Sequence, residues 1–332
     1  MKVFIGDKNQ YKANMHCHSH LSDGVLSAEQ LKEKYKSHGY SILAITDHEY
    51  LVDHSDLNDE NFLTITSYEA FARNKNEAKP IRQEAHFNLY SKDPHNTTMV
   101  CFNENETYVP KEELPFVKYY GERTDDIKGH TVAYANHIIS EAKKHNFFVS
   151  YNHPQWSLET ILDAEQYVGF DSLEIYNNVS HLIGFDENNE SLYEYLISKG
   201  YKVGVHAGDD NHNKSEYEDS FGGFTYIMAD KLDYKSVIAA LENHDYYAST
   251  GPQINFVGIE NGVVTVKCDN AKSICISNNT RRRKRFISTD GKGVSIATHL
   301  LDDHATYFRV IVEDFSGNKA YTRAYFKEEW EI

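Results

Sequence analysis

The stretch MHCHSHLSDG, residues 15–24, sets His16, His18 and His20 at alternate positions and follows them with Asp23. In an extended strand, residues i and i+2 face the same side. His16 and His18 can therefore hold one cation together while Cys17 points the other way. Imidazole with carboxylate is a donor set for first-row divalent metals, and an open coordination position turns such a site to catalysis. Groups of the same kind recur with the later apolar runs: Asp47 and His48 after YSILAIT, Glu69 in NFLTITSYEA, His86 in AHFNLYS, and His153 in FFVSYNHP. Glu174 and Asn177 belong to SLEIYNN, and His206, Asp210 and His212 to YKVGVHAGDDNH.

Something must bring these groups together. The runs YKANMHC, YSILAITD, NFLTITSYEA, AHFNLYS, FFVSYNHP, SLEIYNN, YKVGVHAGDD and GGFTYIMA are short and β-prone, and helical patterns separate several of them. SAEQLKEKYKSHG has Ser27 and Gln30 at capping-box spacing and a closing Gly39. HTVAYANHIISEAKKHN, SLYEYLISKG and DYKSVIAALENHD read as three further helices. Strand alternating with helix predicts parallel strands in an α/β fold. A βα barrel gathers the C-terminal ends of all its strands on one face. An open doubly wound sheet gathers only two or three loops. Polar groups on so many strand ends favour the barrel. Residues 91–130 break the rhythm and predict an insertion over the barrel mouth. After about Gly251 only short strands and Asn-Gly, Ser-Gly and Gly-Lys-Gly turns remain, which predicts a small β-sandwich. The expected division is a barrel over 1–252 and a sandwich over 253–332.

Six of these stretches in order resemble the motifs of the PHP (polymerase and histidinol phosphatase) metallohydrolase superfamily. MHCHSHLSDG resembles the first motif and ITDHE the second. Glu69, His86, His153 and GDDNH at 208–212 resemble the later ones. SLEIYNN, GVHAGDDNH, YYASTGP and the tail AYTRAYF resemble the branch that includes carbaryl-hydrolase-like metallohydrolases.

The resemblance covers roughly residues 12–252 and implies a distorted (β/α)7 TIM-like barrel with a trinuclear site of divalent zinc, manganese or iron. It implies one ion on His16, His18, Glu69 and Asp210, a second on Glu69, His86 and His153, and a third on Asp23, His48 and His212. The family's last motif usually reads Gly-Ser-Asp-x-His; here Asp209 stands in place of the serine and Asp210 keeps the ligand spacing to His212. The long spacing from Glu69 to His86 leaves His95 as the alternative ligand.

The activity implied is hydrolysis of a phosphate ester. Ions about 3.5–4 Å apart can hold a hydroxide at neutral pH and clamp the charge of an in-line displacement. His206, and after it His20, are the candidates to assist the leaving group. Arg82, Glu174 and Asn177 are the candidates to meet substrate. Two other activities use the same donors: hydrolysis of a carboxylic, carbamate or amide bond, and nuclease action on short oligonucleotides.

Composition narrows the partners. The net charge of −16 disfavours binding to long nucleic acid, and the partner expected is a small-molecule phosphate ester. The N-terminus lacks an apolar signal core, and no apolar run approaches the roughly 18 residues of a membrane span. Cys17, Cys101, Cys268 and Cys275 form no CxxC pair, which fits a reducing cytoplasm. The run Arg281-Arg282-Arg283-Lys284-Arg285 reads as a solvated strand edge that blocks further pairing.

Overall fold

The computed structural model describes residues 1–73, 83–123, 131–186, 188–214 and 217–331. In chain order the first elements are β1 (Lys2–Ile5), β2 (Asn9–Asn14), α1 (Ala28–Ser37), β3 (Ile42–Ile45), β4 (Leu63–Arg73) and β5 (Glu84–Ser91). Next come β6 (Thr98–Val100), β7 (Lys118–Tyr120), α2 (Thr131–Lys144), β8 (Phe147–Asn152), α3 (Ile161–Ala164), β9 (Ser172–Asn177), α4 (Asn178–Leu182) and α5 (Glu190–Ser198). β10 (Gly204–Gly208), β11 (Phe224–Ala229), α6 (Tyr234–Glu242) and β12 (Tyr246–Ser249) follow. The chain closes with β13 (Ile254–Glu260), β14 (Val263–Ala271), β15 (Ser273–Asn278), β16 (Lys284–Ile287), β17 (Val294–Leu300), β18 (Tyr307–Glu313), β19 (Lys319–Thr322) and β20 (Tyr325–Phe326). The fold is mixed α/β and rich in strands. Among the described residues no helix is long and apolar enough to cross a membrane.

The expected helices form where their caps place them. Ser27 and Gln30 close a reciprocal capping box at the start of α1, and Gly39 follows its end with φ +78°. Gly200 does the same after α5 with φ +91°.

The central row runs β10-β9-β8-β5-β4-β3-β2-β11-β12. β2, β3 and β4 pair in parallel, as do β8, β9 and β10. β5 is antiparallel to both of its neighbours, β4 and β8. This departs from the all-parallel expectation for a physical reason. A parallel return needs a crossover of roughly a dozen residues or more, and too few lie between the cross-strand partners Arg73 and Glu84. The segment after β10, at one end of the row, also meets the segment after β2: Asp210 N donates to His16 O at 2.8 Å, and His18 N donates to Asn211 O at 3.0 Å. Asn14, fully buried, clamps this junction. Its Oδ1 accepts from Asp209 N, and its Nδ2 donates to Tyr35 Oη and Asn211 Oδ1.

The expected insertion holds a two-stranded parallel sheet, β6 with β7. The expected boundary near residue 252 is crossed twice by strand pairing. β1 pairs with β13 in a four-stranded sheet with β14 and β17, and β19 pairs with β12 of the central row. Val257, Val264 and Val266 of the small sheet pack with Ile274, Phe308, Val310 and Val312 of the large one in a shared core. β18 alternates between two cores: Phe308, Val310 and Val312 face this one, while Tyr307 and Ile311 face the core that contains Tyr193 and Tyr321. Arg309 lies on that second face, fully buried, with Nη1 3.3 Å from Glu194 of α5 and its guanidinium 4.9 Å from the Tyr193 ring.

Candidate metal centre

Glu69, buried in the middle of β4, is the hub of the site. Its Oε1 lies 3.2 Å from His16 Nε2, 3.1 Å from His86 Nδ1 and 3.2 Å from His153 Nε2. Its Oε2 lies 3.1 Å from His48 Nδ1 and 3.5 Å from His18 Nε2. Five imidazoles from four different segments thus surround one carboxylate. Asp210 closes the ring from the other side, with Oδ1 2.9 Å from His18 Nε2 and 3.2 Å from His16 Nε2. Asp23 gathers a second group. Its Oδ1 is 3.2 Å from His212 Nε2, 3.7 Å from His48 Nε2 and 3.9 Å from His18 Nδ1.

The strands explain this convergence. His16 and His18 follow β2, His48 follows β3, His153 follows β8, and Asp210 and His212 follow β10. His86 is different, because it lies near the start of β5 rather than at its end. Since β5 runs antiparallel, its start falls beside the other strands' ends, where Phe71 is the cross-strand partner of His86. Two of these side chains stand on strained backbone. Asp210 has φ +54° and His153 has φ +22°, a region that costs a non-glycine residue about 1–3 kcal/mol and is found chiefly where surrounding contacts enforce it. Here Asp210 N is held by His16 O, and His153 N donates to Glu174 Oε2 at 2.9 Å.

Charge is concentrated in a dry place. Burial alone would keep His16 neutral, but Asp210, Glu69 and Glu174 outweigh it and hold its pKa well above the ordinary value. Burial would likewise raise Glu69, yet His16, His86 and His153 hold it well below the ordinary carboxylate range. His86 is pushed up to about 10 against its own burial by Glu69 and Glu84. His18 moves the other way, to about 4, through burial and the nearby imidazoles of His212 and His48.

The donors fit divalent ions. His16 Nε2, both ring nitrogens of His18, His86 Nδ1, Glu69 Oε2 and Asp23 Oδ1 are buried and make no hydrogen bond among the described residues. Buried polar atoms are otherwise nearly always satisfied, and these six surround common points. Among the described residues, four sets bring their ligand atoms within 4.8 Å of one another: His16, His18, Glu69 and Asp210; His18, Asp23, His48 and His212; His48, Glu69 and His86; and His16, His153 and Glu174.

Not every expected residue reaches this centre. His20 is exposed, and its backbone N–H donates to Leu26 O. His206 is buried beneath the cluster rather than in the cleft. Ser150 and Ser172 lie at 3.2 and 3.0 Å from its ring nitrogens, and its Nε2 is 4.0 Å from Glu174 Oε1. Burial lowers its pKa to about 4. Glu174 and Asn177 are fully buried, and they touch candidate ligands instead of lining the cleft. Glu174 Oε1 is 2.9 Å from His16 Nδ1, and Asn177 Nδ2 donates to Glu174 Oε2 and Asp210 Oδ2. Arg82 lies outside the described residues. His95 is exposed and paired with Asp53 at 2.9 Å, away from the cluster. Asp209 faces away from the imidazoles and accepts from Tyr35 Oη and from the backbone amides of Phe221, Gly222 and Gly223.

The centre opens into a cleft of about 410 Å³, walled by Phe71, Arg73, Glu84, Tyr108, Trp156, Val179, Ile183 and Lys214. None of these was singled out from sequence. Tyr108 comes from the expected insertion and stacks on His48 with ring centroids 6.0 Å apart. Trp156 packs edge-on against His86 and His153. Two signals were available: Glu84 shares a strand face with His86 at i, i+2, and Trp156 follows His153 by three residues. Asp47, at the end of the second run, serves the first loop by accepting from Ser19 and Ser22.

No family model matches the chain, and no curated protein matches it significantly. Solved structures similar to it include three bacterial proteins. One, from Bacteroides vulgatus, is a two-domain protein described as containing a predicted PHP-like metal-dependent phosphoesterase; it shares 15% identity and 98% of each chain at a TM-score of 0.47. A second, described as a candidate metal-dependent phosphoesterase from Bifidobacterium adolescentis, shares 16% identity over 70% of this chain and 96% of its own, with a TM-score of 0.40. An amidohydrolase from Chromobacterium violaceum shares 13% identity over the same fractions, with a TM-score of 0.42. These are loose likenesses of overall shape.

Proposed function

We propose that this chain is a metal-dependent hydrolase of phosphate esters. The observation that carries the reading is Glu69, whose two oxygens lie within 3.5 Å of five imidazoles, with its own Oε2 and five further buried donor atoms of the cluster left without hydrogen bonds among the described residues. A buried arrangement of this kind is costly unless cations take up the lone pairs. His16, His18, Glu69 and Asp210 would hold one ion. Glu69 would also serve a second, with His86 and with His153 or His48. Asp23, His48 and His212 would hold a third, with His18 beside them.

Divalent ions bound there supply Lewis acidity, which activates water near neutral pH and offsets phosphate charge. The chain's own residues supply the rest. Arg73 and Lys214 put two cations at the rim of an otherwise acidic and imidazole-rich cleft, and Arg73 suits planar recognition of phosphate oxygens. Phe71, Trp156, Val179 and Ile183 form an apolar wall for the remainder of the ester and limit water at the reacting group. Glu174 and Asn177, on this reading, orient ligands rather than bind substrate. We also read the parallel strands, joined end to end at His16 and Asp210, as a distorted (β/α)7 barrel, and β13–β20 with β1 as a β-sandwich built onto it. Four unpaired cysteines suit the cytoplasm as its place of work.

The test is a comparison of esters with protein reconstituted with manganese or zinc. Hydrolysis of p-nitrophenyl phosphate or its bis ester supports the reading. Hydrolysis of p-nitrophenyl acetate alone replaces it with carboxyl-ester chemistry.

A further inference from the structure

We propose that Glu84 is a positioning residue that sets the ligating nitrogen of His86 and, with the same carboxylate, the orientation of Arg73. The assignment rests on the metallohydrolase reading above and concerns how the wall of the cleft is wired to the cluster.

Glu84 and Arg73 are cross-strand partners at the cleft end of β5 and β4. Arg73 grips the carboxylate with two parallel hydrogen bonds, Nε to Oε2 at 2.8 Å and Nη2 to Oε1 at 2.9 Å. This fork geometry fixes the plane of both groups. Phe71 supports it from below, with its ring 4.7 Å from the guanidinium. Oε1 also lies 3.3 Å from His86 Nε2.

The other ring nitrogen of His86, Nδ1, is buried, unbonded and 3.1 Å from Glu69 Oε1. Trp156 and Phe71 confine the ring, with centroids at 5.2 and 5.9 Å. An imidazole that donates Nε2–H to a carboxylate keeps its lone pair on Nδ1, and such an outer partner fixes both tautomer and ring angle. His86 therefore presents Nδ1 to the cluster. Arg73, held by Glu84 through Nε and Nη2 and with Nη1 3.7 Å from Glu106 Oε1, lines the cleft wall. One carboxylate thus links a ligand to the arginine that faces an anionic substrate.

Two measurements test this. In zinc-loaded protein carrying ¹⁵N-labelled histidine, His86 is expected to show a protonated Nε2 and a coordinated Nδ1. Coordination through Nε2 overturns the assignment, whatever the variants do. In metal titrations, Glu84→Gln is expected to weaken one class of site by about 10–100-fold, and Glu84→Asp to recover part of the loss. Arg73→Met is expected to raise KM for the phosphate ester and to weaken metal binding less than Glu84→Gln does, since it removes the anion-facing group and loosens, but keeps, the carboxylate beside His86. Equal metal affinity in wild type and Glu84→Gln overturns the role of Glu84 alone. A wild-type chain that takes up no metal overturns the metallohydrolase reading itself.

Discussion

His16 and Glu174 form a buried pair in which the Nδ1 of one lies 2.9 Å from the Oε1 of the other. The contact turns His16 Nε2 toward Glu69 and Asp210, the two carboxylates that converge on it. Glu174 also accepts from His153 N, so one carboxylate sets two candidate ligands. Glu174→Gln keeps the shape but removes one of these acceptors. Metal affinity is expected to fall by about 10–100-fold, read by equilibrium dialysis, with secondary structure unchanged by circular dichroism. Wild-type affinity in this variant would show that His16 is oriented by packing alone.

Gly208, the last residue of β10, packs directly against His16 and Glu174. A Cβ built there would sit 2.7 Å from His16 Cβ and 2.9 Å from Glu174 Oε1. Gly208→Ala is expected to push that pair aside, weaken metal binding at least tenfold and cost about 1–3 kcal/mol of stability, the range for overpacking. Calorimetric titration with manganese and a urea melt measure the two effects separately.

Removing metal should unload the cluster's electrostatics onto the fold. Glu69, Asp210 and the surrounding imidazoles are buried together, and a ligand that binds only the folded state adds stability by mass action. At free ion about a thousandfold above Kd, that is about 4 kcal/mol for each site. A chelator is therefore expected to lower Tm and readdition to restore it, read by scanning calorimetry. An unchanged Tm would mean that no ion is held.

Glu159 gives a pH signature away from the centre. It is partly buried, and Tyr151 and Tyr167 both donate to its carboxylate. Burial raises its pKa from 4.5 to about 7 despite those bonds. The folded state thus holds a proton that the unfolded chain releases between these values, and stability falls as the pH rises through this window. The contribution is on the order of 3 kcal/mol at full ionisation. Glu159→Gln is expected to flatten the stability profile between pH 5 and 7, measured by urea melts across that range.

Much of the centre was legible in the sequence, because metal donors stand out when they recur at the ends of apolar runs. His16, His18, Asp23, His48, Glu69, His86, His153, Asp210 and His212 all meet in space. Strand direction was less legible. The run around His86 reads the same forwards or backwards, and only the short link to β4 shows that it must turn back. His206 was misplaced for a related reason. Its cross-strand partner is Glu174, one layer below the ligands, and register between distant strands leaves no local mark. His20 shares the alternation of its neighbours, but the chain leaves the strand path before it and turns the side chain to solvent. β1 joins the distant β13, a pairing that no pattern in the first ten residues announces. The wall residues Arg73, Glu84 and Trp156 were missed because their roles depend on what they touch, not on their types.

The most direct measurement is the metal content of reconstituted wild type and of Glu69→Gln, by elemental analysis after dialysis against manganese or zinc. Three ions per wild-type chain, with at least one lost in Glu69→Gln, is the predicted result. A wild-type chain that emerges without bound metal contradicts the account.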